Sequence, residues 1–192
     1  MSYEHPTTDD EAQEFDVLPD WGQGIQLSLS YQTDIKRSRR GIEQRSQRRR
    51  RPRMAMDYTP AQIMGADALL RLETLRTRSR GRLLVPWWPS AQKLSTAMAS
   101  DTSVTLQGGL ITGEWEETNQ IYLWHRSLGG QFRTVTEISG STFTLENIEL
   151  DHQYPADGYA FPVMVCLLQR GDNLLRDLQY RTASGQLTFR TL

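Results

Sequence analysis

Apolar and polar residues alternate in two segments on either side of an arginine-rich stretch. Residues 25–31 (IQLSLSY) have an apolar side chain at every second position, and residues 52–60 (PRMAMDYTP) repeat the pattern with two methionines and a tyrosine. A period of two is typical of strands, and the first segment resembles an edge strand. Gly41 lies between them and favours a turn. The pattern predicts a long β-hairpin whose strands enclose residues 36–51.

A helix is predicted directly after this hairpin, over about residues 60–78. Thr59 can cap it, Pro60 suits its first turn, and Gly81 can end it. Its apolar face consists of Ile63, Met64, Leu69, Leu70, Leu72 and Leu75. We expect it to pack on the outside of the hairpin, with Leu69, Leu72 and Leu75 as the packing residues.

The remainder of the chain has a β pattern throughout. A strand broken by prolines spans residues 82–90 and contains Trp87 and Trp88, which we expect to be core residues. Further strands are predicted at 103–106, 120–126, 131–139, 142–146, 159–169, 172–182 and 185–191, with hairpin turns at Gly129-Gly130 and 139–141. Short strands with frequent turns indicate a small antiparallel β-barrel or sandwich.

The predicted fold is therefore mainly β with one long helix. Residues 1–14 are polar and acidic and are expected to be disordered. Residues 15–82 would form a β-hairpin plus helix unit that builds an assembly, and residues 83–192 the small β-barrel or sandwich.

The charges are segregated along the chain. Residues 1–35 contain eight acidic residues and no Lys or Arg, residues 36–82 contain 15 basic and 4 acidic residues, and residues 83–192 contain 7 basic and 11 acidic residues. The formal net charge of −1 hides this separation. Separate blocks of opposite sign suit a surface that meets a complementary surface, either on a second copy or on an anionic partner.

Pairing of guanidinium and carboxylate groups between neighbouring subunits is the first interpretation of these blocks. Arginine favours it because its planar fork binds a carboxylate through two hydrogen bonds. The predicted subunit-interface residues are Asp9, Asp10, Glu11, Glu14, Asp16, Trp21, Thr33, Asp34, Arg39, Arg40, Glu43, Arg45, Arg48, Arg49, Arg50, Arg51 and Arg53.

Nucleic-acid binding is the alternative interpretation of the arginines. The run at residues 48–51 can neutralise several phosphates. No aromatic residues are interleaved with it for base stacking, and it lies between two predicted strands instead of on a recognition helix. In that case the protein would be a DNA-binding module with an acidic autoinhibitory tail.

Catalytic motifs are absent from the sequence. The histidines are scattered, with His125 on a predicted strand and His152 in a loop near Asp157, and no GxSxG, phosphate-binding glycine loop or HExxH occurs. The carboxylates of residues 114–117 flank Trp115, and such clusters are usually solvated, although carboxylate pairs hydrolyse glycans in glycosidases. We expect no enzymatic activity, no cofactor and no metal, with glycan hydrolysis as a third alternative.

Cys166 is the only cysteine, and it lies within a continuous apolar run, PVMVCLL. This setting predicts a buried, unreactive thiol. No apolar run approaches the roughly 20 residues that span a bilayer, and the N-terminal residues lack the pattern of a signal peptide. The expectation is a soluble protein of a reducing compartment, without membrane contact.

Residues 31–53 resemble a motif of tail proteins from long-tailed bacteriophages, written loosely as W/Y-x-T-D-[IV]-x-x-S-x-x-G-x-E-Q-R-x-x-x-R-x-x-P-R. The matching positions are Tyr31, Thr33, Asp34, Ile35, Ser38, Gly41, Glu43, Gln44, Arg45, Arg49, Pro52 and Arg53. VLPDW (17–21), LLVPWWPSAQKL (83–94) and PADGYAFPVMVCLL (155–168) also resemble segments of this family. The arginine run is denser than the family pattern, and the tryptophan at 87–88 is doubled.

The resemblance implies a structural virion component similar to distal tail proteins. Such a protein would form a ring at the tail tip or baseplate, most often hexameric and sometimes trimeric, and would join the tail tube to baseplate proteins. It would be assembled in the host cytoplasm and would meet DNA only transiently if arginines face a lumen. A head-to-tail or neck connector ring is an alternative position.

Overall fold

The computed structural model describes residues 12–31, 33–37, 43–47, 52–61, 82–95, 102–108, 113–115, 118–146, 154–169 and 187–191. The strands are β1 (Gln13–Glu14), β2 (Ile25–Ser30), β3 (Thr33–Arg37), β4 (Glu43–Gln47), β5 (Arg53–Tyr58), β6 (Arg82–Pro86), β7 (Gln92–Lys93), β8 (Ser103–Thr105), β9 (Gln120–His125), β10 (Gly129–Ser139), β11 (Thr142–Leu145), β12 (Tyr159–Gln169) and β13 (Leu187–Thr191). Single 3₁₀ turns lie at Trp88–Ser90 and Gly113–Trp115.

The chain divides into two compact units, each built from two separate stretches of sequence. The first unit comprises Met1–Asp16 and Gly81–Val165, and the second comprises Val17–Arg80 and Cys166–Leu192. Strand β12 therefore contributes residues to both. The boundaries predicted from the sequence, after residues 14 and 82, stay predictions.

The first unit is built around β9, which pairs with β10 on one side and with the start of β12 on the other. Strand β11 follows β10 and pairs with β8, and β1 pairs in parallel with β6. One core cluster contains Leu94, Val104, Leu106, Trp115, Ile121, Leu123, Phe143, Leu145, Tyr154 and Ala160. Trp87 and Trp88 are 2% and 1% exposed, and Trp88 packs edge-on against Phe161 with 4.9 Å between ring centroids.

In the second unit, β5 lies between β2 and β13, and β13 pairs with the last four residues of β12. The register sets Leu27 and Phe189 opposite Met56 on either side of it. Residues directly opposite each other point to the same face of a sheet, so these strands share one apolar face. Met56, Phe189 and Tyr58 are buried on it, and the rings of the last two stack 5.7 Å apart.

The predicted long hairpin is confirmed. Strand β2 pairs with β5 from Ile25↔Tyr58 to Ser30↔Arg53. Between them in sequence, β3 and β4 form a separate two-stranded sheet from Thr33↔Gln47 to Arg37↔Glu43. Residues 36–53, which we call the basic segment, thus begin within β3 and end within β5, and both strands are paired.

The predicted long helix is wrong. The described part of the chain contains no α-helix, and the chain is extended where the helix was expected to begin. Residues 59–61 instead run beside residues 18–20, through Asp20 N donating to Thr59 O (2.7 Å), Ala61 N donating to Leu18 O (2.8 Å) and a bridge between Pro19 and Pro60. The Thr-Pro pair that resembles a helix start fits an extended segment equally well, because the fixed φ of proline is compatible with both. Residues 62–78, with Leu69, Leu72 and Leu75, lie outside the described residues.

One of the two predicted hairpin turns is displaced. Ser139 pairs with Thr142, so Gly140 and Ser141 form a two-residue turn, and the φ of Gly140 is 60° as such turns require. The other turn was expected at Gly129-Gly130 but occupies residues 126–128, and both glycines begin β10. The strands predicted at 103–106, 120–126, 131–139, 142–146, 159–169 and 185–191 are present, whereas 172–182 lies outside the described residues.

Substitution of Gly130 is expected to destabilise the first unit. A Cβ at Gly130 would overlap the side chain of Tyr122, which lies across the glycine and is 2% exposed. We expect Gly130→Ala to lower the free energy of unfolding by about 1–3 kcal/mol, because overpacking displaces a buried ring. Chemical denaturation measures this, with Ser139→Ala at an exposed position of the same strand as the control. Equal stability of both variants would contradict the prediction.

Cys166 is expected to react with thiol reagents only after unfolding. It is fully buried, and burial raises the pKa of its thiol to about 12. The thiolate is the reactive form, so both its population and its access are suppressed at neutral pH. Maleimide labelling followed by mass spectrometry should show no modification of the native chain and complete modification in denaturant. The double variant Cys166→Ser/Ser139→Cys is the positive control, because its cysteine is at an exposed position and should be labelled in the native state. Rapid labelling of Cys166 in the native wild type would contradict the prediction.

Candidate assembly interface

The basic hairpin, defined as β3 and β4, carries a three-residue charge cluster. Arg37 is directly opposite Glu43, and Arg45 is two positions along the same strand, so all three side chains share a face. The Arg45 Nε donates to Glu43 Oε1 at 3.1 Å, and the Arg37 Nη2 lies 3.9 Å from Glu43 Oε2. Two guanidinium groups share one carboxylate, which leaves the cluster with a net positive charge.

These ion pairs are exposed and therefore weak. The side chains of Arg37 and Arg45 are 76% and 69% exposed, and that of Glu43 is 29% exposed. Pairs of this kind contribute about 0.2–1 kcal/mol, because water and salt screen them. Glu43 orients the side chains of Arg37 and Arg45, and both guanidinium groups remain exposed to a further anionic group.

Exposed apolar residues are concentrated in the sequence just before this hairpin and at its start. Six large hydrophobic residues are exposed among the described residues, and five of them fall between positions 21 and 35. They are Trp21 (56%), Leu27 (48%), Leu29 (59%), Tyr31 (62%) and Ile35 (55%), with Leu167 (38%) as the sixth. Leu27 and Leu29 share one face of β2, and exposed apolar residues of this kind are candidates for contact with another molecule. We call these five residues the apolar stripe.

Strand β2, which carries two residues of the stripe, ends its sheet. Its single neighbour among the described strands is β5. Edge strands are normally protected by charged residues, proline or bulges, because their free backbone groups attract other strands. The sequence of β2, IQLSLS, has none of these protections.

The other predicted interface residues are distributed over both units. In the first unit, Glu14 is exposed, and Asp16 accepts a hydrogen bond from the Tyr122 hydroxyl at 3.3 Å. In the second unit, Trp21 belongs to the stripe, Thr33 and Asp34 lie on β3, and Arg53 begins β5. Asp9, Asp10, Glu11, Arg39, Arg40, Arg48, Arg49, Arg50 and Arg51 lie outside the described residues. Pairing between the acidic and basic segments stays a prediction.

The exposure of the leucines was not expected from the sequence. The alternation of residues 25–31 predicts an edge strand, and alternation alone suggests that the apolar side is buried. On this face only the side chains of the partner strand β5, Met56 and Tyr58, are buried, while Leu27 and Leu29 of β2 remain about half exposed. The absence of any charge on a predicted edge strand was the available signal.

A second cluster surrounds His125 in the first unit. The Nε2 of His125 lies 3.3 Å from Asp157 Oδ2, and its Nδ1 lies 2.9 Å from the Ser127 hydroxyl and 3.4 Å from the Ser127 amide. An amide can only donate, so Nδ1 accepts and Nε2 donates to Asp157. The order serine, histidine, aspartate resembles a hydrolase triad. Here, however, Ser127 lies only two residues after His125, at the start of the same hairpin turn. Its hydroxyl and its backbone amide both donate to His125 Nδ1, which is typical of a contact that stabilises a turn.

The surroundings of this cluster form an open cavity of about 260 Å³, lined by Lys93, Trp124, His125, Arg126, Asp157 and Tyr159.

Trp115, which the carboxylates of residues 114–117 flank in the sequence, is buried, and its indole Nε1 donates to the carbonyl of Ser90. Within the ranges that the structure describes, no group of three or more His, Cys, Asp or Glu side chains is arranged to hold a metal ion.

Among the described residues, none belongs to a helix with the length and apolar character needed to cross a membrane.

The contact with His125 is expected to control the titration of Asp157. The hydrogen bond to His125 holds the pKa of the Asp157 carboxyl below its ordinary value of 3.8. A lowered folded-state pKa gives stability that is present above the unfolded pKa and is lost as pH falls through the folded one, here below pH 3.8. We expect His125→Ala to raise the pKa of Asp157 towards 3.8, as measured by NMR titration of its carboxyl carbon.

Ser127→Ala is the matched control, because it removes a contact of the other ring nitrogen and should change the Asp157 titration less. The same Asp157 pKa in the wild type and in His125→Ala would contradict the role assigned to the hydrogen bond.

Residues 21–53 thus contain an unprotected sheet edge, exposed apolar side chains and exposed cations, which together make this segment the candidate assembly interface. No protein-family model matches the chain, and no curated protein matches its sequence.

Proposed function

We propose that this protein is a structural subunit of a bacteriophage tail that assembles with copies of itself into a ring at the tail tip or baseplate. In that position it would join the tail tube to baseplate proteins. The observation that carries the proposal is the apolar stripe, which precedes and enters the basic hairpin in the sequence. Exposed apolar side chains on and near a free strand edge fit a protein partner better than a small substrate.

A second copy of the chain supplies a partner of matching charge. Residues 1–35 carry eight acidic residues, and residues 36–53 carry ten basic residues and one acidic residue. When the donor and acceptor surfaces of one subunit differ, the contact is head-to-tail, and such contacts close into a ring if the rotation permits. A hexamer is the expected ring, with a trimer as the alternative.

The phage resemblance supports the tail as the place of assembly. Six of its twelve motif positions fall on the two strands of the basic hairpin, where Ile35 is directly opposite Arg45. The position at tip, baseplate or neck rests on the resemblance alone.

Nucleic-acid binding remains the second candidate, because Arg37 and Arg45 present exposed guanidinium groups on one face. Phosphate contacts by such groups would weaken steeply with salt. Leu27 and Leu29 favour the protein partner, since leucines neither contact phosphates nor stack on bases, whereas the exposed rings of Trp21 and Tyr31 suit either partner.

The proposal predicts self-association that depends on the stripe. Light scattering after size exclusion should show a closed oligomer, with no shift of duplex DNA between about 50 and 200 mM salt. Electron microscopy of the oligomer should show the ring symmetry. We expect Leu27→Ser/Leu29→Ser to dissociate the oligomer, because the double substitution removes the apolar part of the interface.

Leu167→Ser is the matched control, since Leu167 is an exposed leucine of the second unit that lies outside the stripe. It should leave the oligomer intact. A monomer that binds duplex DNA with a steep dependence on salt would overturn the proposal and favour the nucleic-acid module.

A further inference from the structure

The cavity around the His125 cluster joins aromatic and charged side chains on one surface of the first unit. It has a volume of about 260 Å³, and all of its lining residues belong to the first unit. Cavities that hold drug-sized ligands measure about 300–1,000 Å³. This one is therefore suited to a smaller ligand, of about one ring with its substituents.

Three of the lining residues form a row across three neighbouring strands. Tyr159 of β12 pairs with Trp124 of β9 on one side and with Lys93 of β7 on the other. Residues directly opposite each other point to the same face of a sheet. The residue next to each of them in sequence belongs to the core cluster, namely Leu94, Leu123 and Ala160. Because successive side chains of a strand alternate between its two faces, the row points away from the core.

The row places a cation over one of two aromatic rings. Lys93 Nζ lies 5.7 Å from the centroid of the Tyr159 ring. The centroids of Tyr159 and Trp124 are 6.3 Å apart, with 45° between the ring planes, and both residues are partly exposed. A cation within about 6 Å of a ring centroid occupies the position that a cationic ligand would take. The aromatic part of the cavity therefore does not select a cation.

The end of the row supplies hydrogen-bonding groups of both kinds. The side chain of Asp157 is 67% exposed, and its Oδ2 accepts a hydrogen bond from His125 Nε2 at 3.3 Å, which holds an acceptor in the cavity wall. Arg126 and Lys93 are exposed, and their side chains can only donate. These three charges, two positive and one negative, partly cancel. The cavity therefore selects a ligand by its hydrogen-bonding groups more than by its charge.

A sugar ring matches this set of groups. A hydroxyl both donates and accepts, so a ring with several hydroxyls satisfies a carboxylate and two cationic donors at once. The face of an aromatic ring is negative, and C–H groups beside oxygen atoms carry a partial positive charge, so they pack favourably on it. A pyranose has such C–H groups on its faces and hydroxyls around its rim.

We propose that this cavity binds one pyranose ring of a saccharide. The C–H groups of the sugar pack on Trp124, and its hydroxyls bond to Arg126, Lys93 and Asp157. The site lies within the first unit, so it does not depend on the proposed assembly. A ligand of this size binds with a dissociation constant on the order of millimolar.

Saturation-transfer difference NMR on the full chain tests the site with D-glucose, D-galactose and N-acetyl-D-glucosamine as probes. We expect at least one of these sugars to bind, and its affinity to be the same at about 50 and 200 mM salt, because the ligand is neutral. Trp124→Leu keeps an apolar side chain but removes the flat ring, and it should weaken binding about tenfold or more. Arg126→Ala, at an exposed position, should weaken it about threefold or more.

Trp21→Leu is the matched control, because it removes an exposed tryptophan ring from the second unit and should bind sugar as the wild type does. Thermal unfolding of each variant shows that the chain is folded under the conditions of the titration. If Trp124→Leu does not fold, Arg126→Ala decides. Equal sugar binding by the wild type and the folded cavity variants would place the sugar elsewhere and overturn the proposal.

AMP distinguishes a sugar site from a general site for anions, because it carries a phosphate and a planar base. Binding of AMP without binding of the three neutral sugars, with an affinity that falls as salt rises, would overturn the sugar site. No binding of any sugar would overturn it as well. In either case a ring formed by the wild type would leave the proposed function standing, whereas sugar binding by a chain that never self-associates would support the site and refute the assembly.

Discussion

The antiparallel pairing of β2 with β5 is the constraint on which the candidate interface depends. It joins residues 25–30 to residues 53–58 and so closes the basic segment between two strands. It sets Met54 and Met56 opposite Leu29 and Leu27, which gives the sheet an apolar face up to its last strand. It also leaves β2 with one free edge among the described strands. A slip of one residue would send every side chain of β2 to the other face and would separate the stripe from its apolar neighbours.

Much of the β structure could be predicted, because strand alternation is a local signal. The β2–β5 pair, the turn at Gly140 and the later strands followed from period-two patterns and turn residues. The helix at 60–78 failed for a reason that is not local. Thr59 and Pro60 fit a helix start and an extended segment equally, and the choice was made by hydrogen bonds to residues 18–20, about 40 positions earlier in the chain. Gly130 marks close packing instead of a turn, since the Tyr122 side chain lies against it within the strand.

The candidate site was predictable in its charges but not in its burial. The composition located the basic segment, and the alternation located the edge strand next to it. Asp57 belongs to the polar face of a predicted strand, and such residues are usually exposed. It is only partly exposed and lies between Gln26 of β2 and Thr188 of β13, a pairing that no pattern in residues 52–60 can reveal. The same applies to His125, because its partner Asp157 is 32 positions away.

These observations divide the proposed interface into two electrostatic classes with different roles. The pairs around Glu43 are exposed, so salt screens them and they steer association more than they hold it. The apolar stripe loses nothing to salt, since burial of leucine side chains does not depend on charge. An assembly held by the stripe would therefore persist at ionic strengths that weaken contacts made by the exposed arginines alone.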